Sequence, residues 1–457
     1  MEKFRRLLMR IDMTEGTPWK KLIIFAVPMI IGNLFQQLYS IADAVILGRF
    51  IGDYALAAIG SSMPLFFLVI VIMMGISMGV SVMVSQYVGA KDRDGISYTI
   101  GNGIVVVAVV GLILMAIGPL LSRPLLVLLN TPPEILDDSV MYMNILLIGG
   151  LGMAYFNVLS GILRGLGDSF SPLIYLIIAN LLNIIFNVLF IVVLGWGMPS
   201  VAIGTVLAQG LSALLCLRRL IKMRDTFDMG KKYLKPKREY LWKMLKLGVP
   251  AGASQGIIAV AVMIVQPLVN GFGPLVIATN VIVMRIDGLV MMPIFSFSNA
   301  MTVYAGQNMG AENVGRISEG TKQGVKMSVA ICVVLVVIVL LFGRVMAEAF
   351  TQTQEVIDLS VRFLFILAPG FVFLAVAMVL WGTIMGAGSM FLPMLASLIN
   401  TILVRIPAAY GFVYVLGTPE ALMLSMVSAW FVNMILAIIV YRIGWWKSKG
   451  FAKVKDD

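Results

Sequence analysis

Apolar residues run along this chain in twelve blocks, each close to the ~20 residues that a helix needs to cross a bilayer. The blocks centre near residues 33, 70, 111, 149, 183, 208, 257, 290, 333, 368, 400 and 431. The first is long, roughly residues 21 to 48, and contains Pro28, so a bend is expected there. The pattern predicts an all-α polytopic membrane protein of twelve transmembrane helices. Composition agrees: 60% of the 457 residues are hydrophobic and only 12% charged, against about a quarter charged in soluble domains. The mean hydropathy is +0.99. The opening MEKFRRLLMR leads into a long apolar helix with no small-residue cleavage pattern, so no cleavable leader is expected.

Charge then orients the spans. Basic residues concentrate at the N-terminus (Lys3, Arg5, Arg6, Lys20, Lys21), in the link after the sixth block and at the C-terminus (Arg442, Lys447, Lys449, Lys453, Lys455). The link carries eleven Lys and Arg between Arg218 and Lys246. The opposite loops are acidic or neutral, as in PPEILDDS at 132–139. An even number of spans puts all three basic regions on one side, which the positive-inside rule makes cytoplasmic. The net charge of +11 is thereby explained as basic cytoplasmic loops, and a nucleic-acid partner is not expected. The link reads as a positive-inside connector and divides the chain into an N-lobe (1–225), a linker (226–242) and a C-lobe (243–457). There is no histidine, and the two cysteines, Cys216 and Cys332, lie in apolar runs. Ser-His catalysis, the usual zinc sites and a disulfide framework drop out together, and neither an enzyme nor a cofactor is expected.

The two lobes repeat each other. QYVGAKD at 86–92 matches QNMGAEN at 307–313, an offset of 221. Gly103, Gly149 and Gly161 meet Gly324, Gly370 and Gly382 in the same register, and GLGDSFSP at 165–172 meets GAGSMFLP at 386–393. Six spans per copy leave both copies facing the same way, which predicts a pseudo-two-fold along the membrane normal. That frame is typical of alternating-access transporters, and no re-entrant filter of a channel is present.

Ionisable groups inside spans are expensive, about 2.5–3.5 kcal/mol for Asp at a helix centre, so each is a functional candidate. In the first span Asn33, Gln36, Gln37, Ser40 and Asp43 recur at helical spacing and form one polar stripe suited to line a cavity. In the fifth, Asn180, Asn183 and Asn187 do the same. Interhelical hydrogen bonding is the competing reading for the amides. A buried Asp43 is neutralised by a proton or by a cation beside it. Asn183 and Asn187 offer amide oxygens to a hard cation such as Na⁺. In the C-lobe, Asn280 and Asp287 in the eighth span, Gln255 in the seventh and Arg405 in the eleventh are the candidates for a second site or gate. Arg405 is the expected counter-ion of Asp287. Asp168 is suited to cap the fifth helix. The 32 methionines, clustered at 71–83 and 290–295, read first as packing.

The runs LFQQLYSIADAVILGRFIGDYALAAIG, SQYVGAKD, ILRGLGDSFSP, NIIFNVLF, RIDGLVMMP and GQNMGAEN together resemble the multidrug and toxic compound extrusion (MATE) transporters of bacteria. The likeness extends over roughly residues 20 to 445 and lies in the order and spacing of the motifs. It implies two six-helix lobes and export of amphipathic, often cationic compounds, driven by Na⁺ or H⁺, from a monomer in the bacterial plasma membrane among its lipids. It also implies that Asp43 is the first-helix carboxylate that couples cation to drug, with Asn183 and Asn187 beside it. The family often has Asp where this chain has Asn187, which leaves Asp43 as the N-lobe's deep negative charge. Asp287 falls where many relatives are acidic. A seventh-helix Glu used by one branch is replaced by Ile258, so that branch's C-lobe cation site is not carried over. A lipid-linked glycan flippase of the same superfamily is the alternative; such relatives often have fourteen spans and a cationic cavity.

Overall fold

The computed structural model describes residues 10–452. Lys3, Arg5, Arg6, Lys453 and Lys455, used above for orientation, lie outside that range. Among the described residues twelve helices are long and apolar enough to cross a membrane, at the positions the blocks predict. The first six are α1 (Pro18–Phe50), α2 (Asp53–Gly89), α3 (Arg93–Leu128), α4 (Pro133–Gly165), α5 (Phe170–Val193) and α6 (Pro199–Ile221). After a one-turn helix in the link, Lys231–Leu234, come α7 (Arg238–Gly271), α8 (Pro274–Gly310), α9 (Val314–Glu348), α10 (Gln354–Gly386), α11 (Phe391–Leu416) and α12 (Glu420–Ile443). Local chemistry sets many of the ends. Proline opens α4 and α6, where its missing N–H costs nothing. Asp92 caps α3 by accepting the Gly95 amide at 3.2 Å, and Asn313 caps α9 by accepting the Arg316 amide at 3.1 Å.

Asp92 and Asn313 are 221 residues apart, and the repeat continues into backbone and packing at that offset. Lys91 and Glu312, just before the two caps, are both left-handed, with φ of 55° and 56°. The Ser77 hydroxyl donates to the Asn157 carbonyl at 2.7 Å, and Ser298 donates to the Met378 carbonyl at 2.8 Å. At the same crossings a Cβ on Gly161 would lie 2.8 Å from the Ser77 carbonyl oxygen, and one on Gly382 would lie 2.4 Å from that of Ser298. Only glycine lets these backbones touch. Each half therefore crosses its second and fourth helices in the same way. The fourth helix of each half packs against its second, third and sixth, and α4 and α10 are the most buried spans, at 50% and 56%.

The chain divides into two compact units whose boundaries differ from those expected at the link. One holds Ile31–Gly252 and the segment up to Ile11; the other holds Asp12–Ile30 and Ala253 onward. The link belongs with the first unit. The first halves of α1 and α7 each pack in the unit opposite to their own repeat. Trp19 donates its amide to Gln323 at 2.9 Å in the second unit, and Lys243 donates to the Tyr87 hydroxyl at 3.2 Å in the first. Each helix changes unit just past a proline, Pro28 or Pro250. Proline lacks the N–H of its turn, so the helical hydrogen bonding is interrupted where the packing partners change.

Candidate functional site

The first unit gathers most of the predicted polar residues. Asn180, Asn183 and Asn187 lie on one face of α5 and are 5%, 3% and 0% exposed. Burial at that level requires hydrogen bonds, and α1 and α6 supply them. Asn187 donates to Asp43 Oδ1 at 2.5 Å and to Asn183 Oδ1 at 2.8 Å. Asn183 donates to Thr205 Oγ1 of α6 at 3.0 Å, and Thr205 donates in turn to the Val201 carbonyl at 3.0 Å. One turn earlier Asn180 donates to Gln36 Oε1 at 3.4 Å. Tyr39 and Tyr142 lie within electrostatic reach of Asp43. The half-buried Asp43 thus accepts a hydrogen bond from a fully buried amide.

Two details set this cluster apart from a fully satisfied interhelical hydrogen-bond network. Asn187 Oδ1 is buried and has no hydrogen-bond partner among the described residues; it sits over Gly204, where a Cβ would be only 2.6 Å away. And α5 changes from α- to π-helical geometry one residue after Asn187, over Val188–Val193. Single π turns inside α-helices recur at functional sites because they re-aim neighbouring groups. An unpartnered amide oxygen, the second oxygen of Asp43 and the Thr205 hydroxyl are all hard oxygen donors, the kind Na⁺ prefers.

The stripe on α1 does not converge as a whole. Gln36 and Asp43 reach α5. Ser40 is exposed and donates to the Gln36 carbonyl of its own helix at 3.0 Å. Asn33 and Gln37 are half-buried. Thr205 was missed by the sequence reading; its signal is the polar pair Thr205 and Gln209, one turn apart in the apolar α6.

The second unit treats its candidates differently. Asp287 and Arg405 feel each other electrostatically, but they form no salt bridge, and Asp287 Oδ1 is buried without a hydrogen-bond partner. Arg405 ends a π-helical stretch of α11, Thr401–Arg405, just ahead of Pro407. Asn280 turns to the Met284 sulfur at 3.6 Å, and Gln255 is half-buried on α7. These four residues are not drawn into one hydrogen-bonded cluster. Asp168 does cap α5: it accepts the Ser171 amide at 2.9 Å and the Ser171 hydroxyl at 2.7 Å, and it also accepts Arg219 Nε at 2.8 Å.

A family model described as MatE matches residues 28–189 and 250–411. The chain is similar to "Probable multidrug resistance protein YpnP" of Bacillus subtilis (strain 168), with 29% identity over 438 residues, 96% of this chain and 98% of that one. It is similar to "Probable multidrug resistance protein NorM" of Thermotoga maritima, with 27% identity over 426 residues, 92% and 89% of the two chains. Among solved structures, a crystal structure of MATE in the bent conformation superposes with a TM-score of 0.89 at 24% identity, covering 96% of this chain and 98% of that one. A MOP superfamily transporter from Pyrococcus furiosus superposes with a TM-score of 0.86 at 25% identity, covering 97% and 98%.

Proposed function

Since the chain belongs to the MatE family, a family of membrane transporters and not of enzymes, we propose that it is a cation-coupled antiporter that exports amphipathic, often cationic compounds, with Asp43 as its coupling carboxylate. It works by alternating access in a plasma membrane, with both termini and the basic link on the cytoplasmic side. The relatives' names, probable multidrug resistance proteins, support drug export, and the basic link and termini support the orientation.

The observation that carries the reading is the Asp43–Asn187 contact beside an amide oxygen left without a partner. In the arrangement described, the Asn187 NH₂ meets the Asp43 charge. Turning that amide over exchanges its donor for its acceptor. It then presents Oδ1 beside Asp43, with Asn183 and Thr205 adjacent, to a cation arriving from outside. A proton on Asp43 discharges the carboxylate in the same place. A cationic substrate competes for that one charge, so cation and drug exclude each other, which is what antiport requires. Each cation moving inward down the membrane potential contributes about 2.3 kcal/mol per 100 mV. The test is transport of a cationic amphipathic dye in proteoliposomes, with Na⁺ and pH gradients imposed separately. Asp43→Asn is expected to fold and to lose gradient-driven export. Export by Asp43→Asn at the wild-type rate overturns the proposal.

A further inference from the structure

The charged link is fixed against α3 rather than free. Arg93, at the start of α3, donates to both oxygens of Asp228 at 2.8 and 3.1 Å and to the carbonyls of Asp225 and Arg224 at 2.6 and 3.0 Å. Asn102 accepts the Lys237 amide at 2.9 Å, and the Tyr233 hydroxyl donates to Asp94 at 2.8 Å. The Tyr98 and Tyr233 rings meet edge-on at 4.8 Å, with the Lys237 ammonium 3.4 Å above Tyr98. The Tyr233 carbonyl lies so close to Gly101 that a Cβ there would stand 2.2 Å from its oxygen. A run that looks like a solvated connector is held against α3 by hydrogen bonds, an ion pair and a backbone-to-backbone contact.

Between the link and α3 this leaves a cavity of about 310 Å³, the size at which ligand pockets begin. Its walls are mostly apolar: Ile100 and Ile104 from α3, Met229 and Leu234 from the link. At 1.5 Å per residue, Ile100 and Ile104 sit about 10 and 16 Å past the start of α3, so the cavity extends along the end of this apolar span that faces the link. Met229 and Leu234 are 38% and 45% exposed, although they belong to a highly charged segment. Trp242, on the first turns of α7, is 67% exposed, as an interfacial aromatic would be. Lys231 lines the cavity, and Lys235 follows one helical turn later. Among the described residues neither has an acidic partner within 4 Å. The one acid on the wall, Asp228, is already neutralised by Arg93.

We infer that this cavity binds an anionic phospholipid of the leaflet that the link faces, with one acyl chain against Ile100, Ile104 and Leu234 and the phosphate at Lys231 and Lys235. An apolar slot lined by Lys231, with Lys235 four residues on along the exposed link, fits that chemistry, in which each Lys near an anionic surface contributes about 1 kcal/mol. The inference uses the orientation proposed above only to identify the leaflet as the cytoplasmic one. Native mass spectrometry of the detergent-purified full chain tests it, with phosphatidylglycerol and phosphatidylcholine of identical acyl chains. Wild type is expected to retain one phosphatidylglycerol at roughly tenfold lower lipid than phosphatidylcholine, the affinity ratio worth about 1.4 kcal/mol. Lys231→Glu with Lys235→Glu, both on the surface, is expected to erase that preference, and Ile104→Trp, which fills the slot, to remove the bound lipid. Equal retention of the two lipids overturns the inference, as does an unchanged preference in the double variant. Full displacement by millimolar glycerol phosphate also overturns it, since the site would then read a phosphate and not a lipid. Transport is not the readout, so either result leaves the antiport proposal standing.

Discussion

Asn187→Asp places a second carboxylate beside Asp43, and its consequence follows from the contact it alters. Asn187 Nδ2 lies 2.5 Å from Asp43 Oδ1 and 2.8 Å from Asn183 Oδ1. The substitution replaces a donor to both oxygens with a third oxygen. The lost hydrogen bond to a charged group is worth about 1.5–3 kcal/mol. Two carboxylates about 4 Å apart repel by about 4 kcal/mol at an effective dielectric near 20. Without a cation the variant is therefore expected to unfold at a clearly lower temperature than wild type in choline chloride. Sodium between the two carboxylates removes the repulsion and adds binding free energy, about 2.7 kcal/mol at a hundred times its dissociation constant. Thermal unfolding of the detergent-purified protein, followed by intrinsic fluorescence at constant ionic strength in choline, potassium and sodium chloride, reads this directly. The variant should gain much more from sodium than wild type does, and more than either gains from potassium. If the variant is as stable as wild type in choline, or if sodium fails to recover what it loses, the contact does not sit in a cation-accessible site and the reasoning fails.

Three further outcomes are expected. Gly382→Ala puts a methyl 2.4 Å from the Ser298 carbonyl oxygen and should destabilise by about 1–3 kcal/mol, whereas Gly150→Ala, with nothing within 4 Å, should be neutral or stabilising by up to about 1 kcal/mol; melting curves in the opposite order refute the packing argument. Asp168→Ala removes the α5 cap and leaves Arg219 without its partner, a loss of about 2–4 kcal/mol, and Asp168→Asn, which keeps an acceptor for the Ser171 amide, should recover part of it in the same melts. Hydrogen bonding from Arg93 holds the Asp228 carboxyl below its ordinary value; a depressed carboxyl contributes stability above its unfolded pKa and loses it as pH falls through the folded one. Corrected hydrogen exchange of residues 226–237 should therefore be flat from neutral pH down to about 5 and rise only below the usual carboxylate range near 4; a rise between 5 and 7 contradicts the clamp.

Hydropathy alone determined the twelve spans, because each must satisfy its own backbone inside a bilayer and so announces itself as a continuous apolar run. The 221-residue repeat was legible for a related reason. Its landmarks are residues with few substitutes, such as the capping Asp92 and Asn313 and the glycines at the α2–α4 and α8–α10 crossings. The face of α5 that carries Asn180, Asn183 and Asn187 followed from helical periodicity. Only the tertiary structure decided which groups meet. Asp43 and Asn187 are 144 residues apart, and nothing local distinguishes Asp43, which found a partner, from Asp287, whose Oδ1 did not. Thr205 joined the cluster through the packing of α6 on α5, and the same kind of long-range contact gave Asp168 its Arg219. The exchange of the first halves of α1 and α7 between units, and the link held down on α3, were equally out of reach. Periodicity and charge act along a few turns of one helix, while the choice of neighbour is set by the shape of whole helices packed against one another.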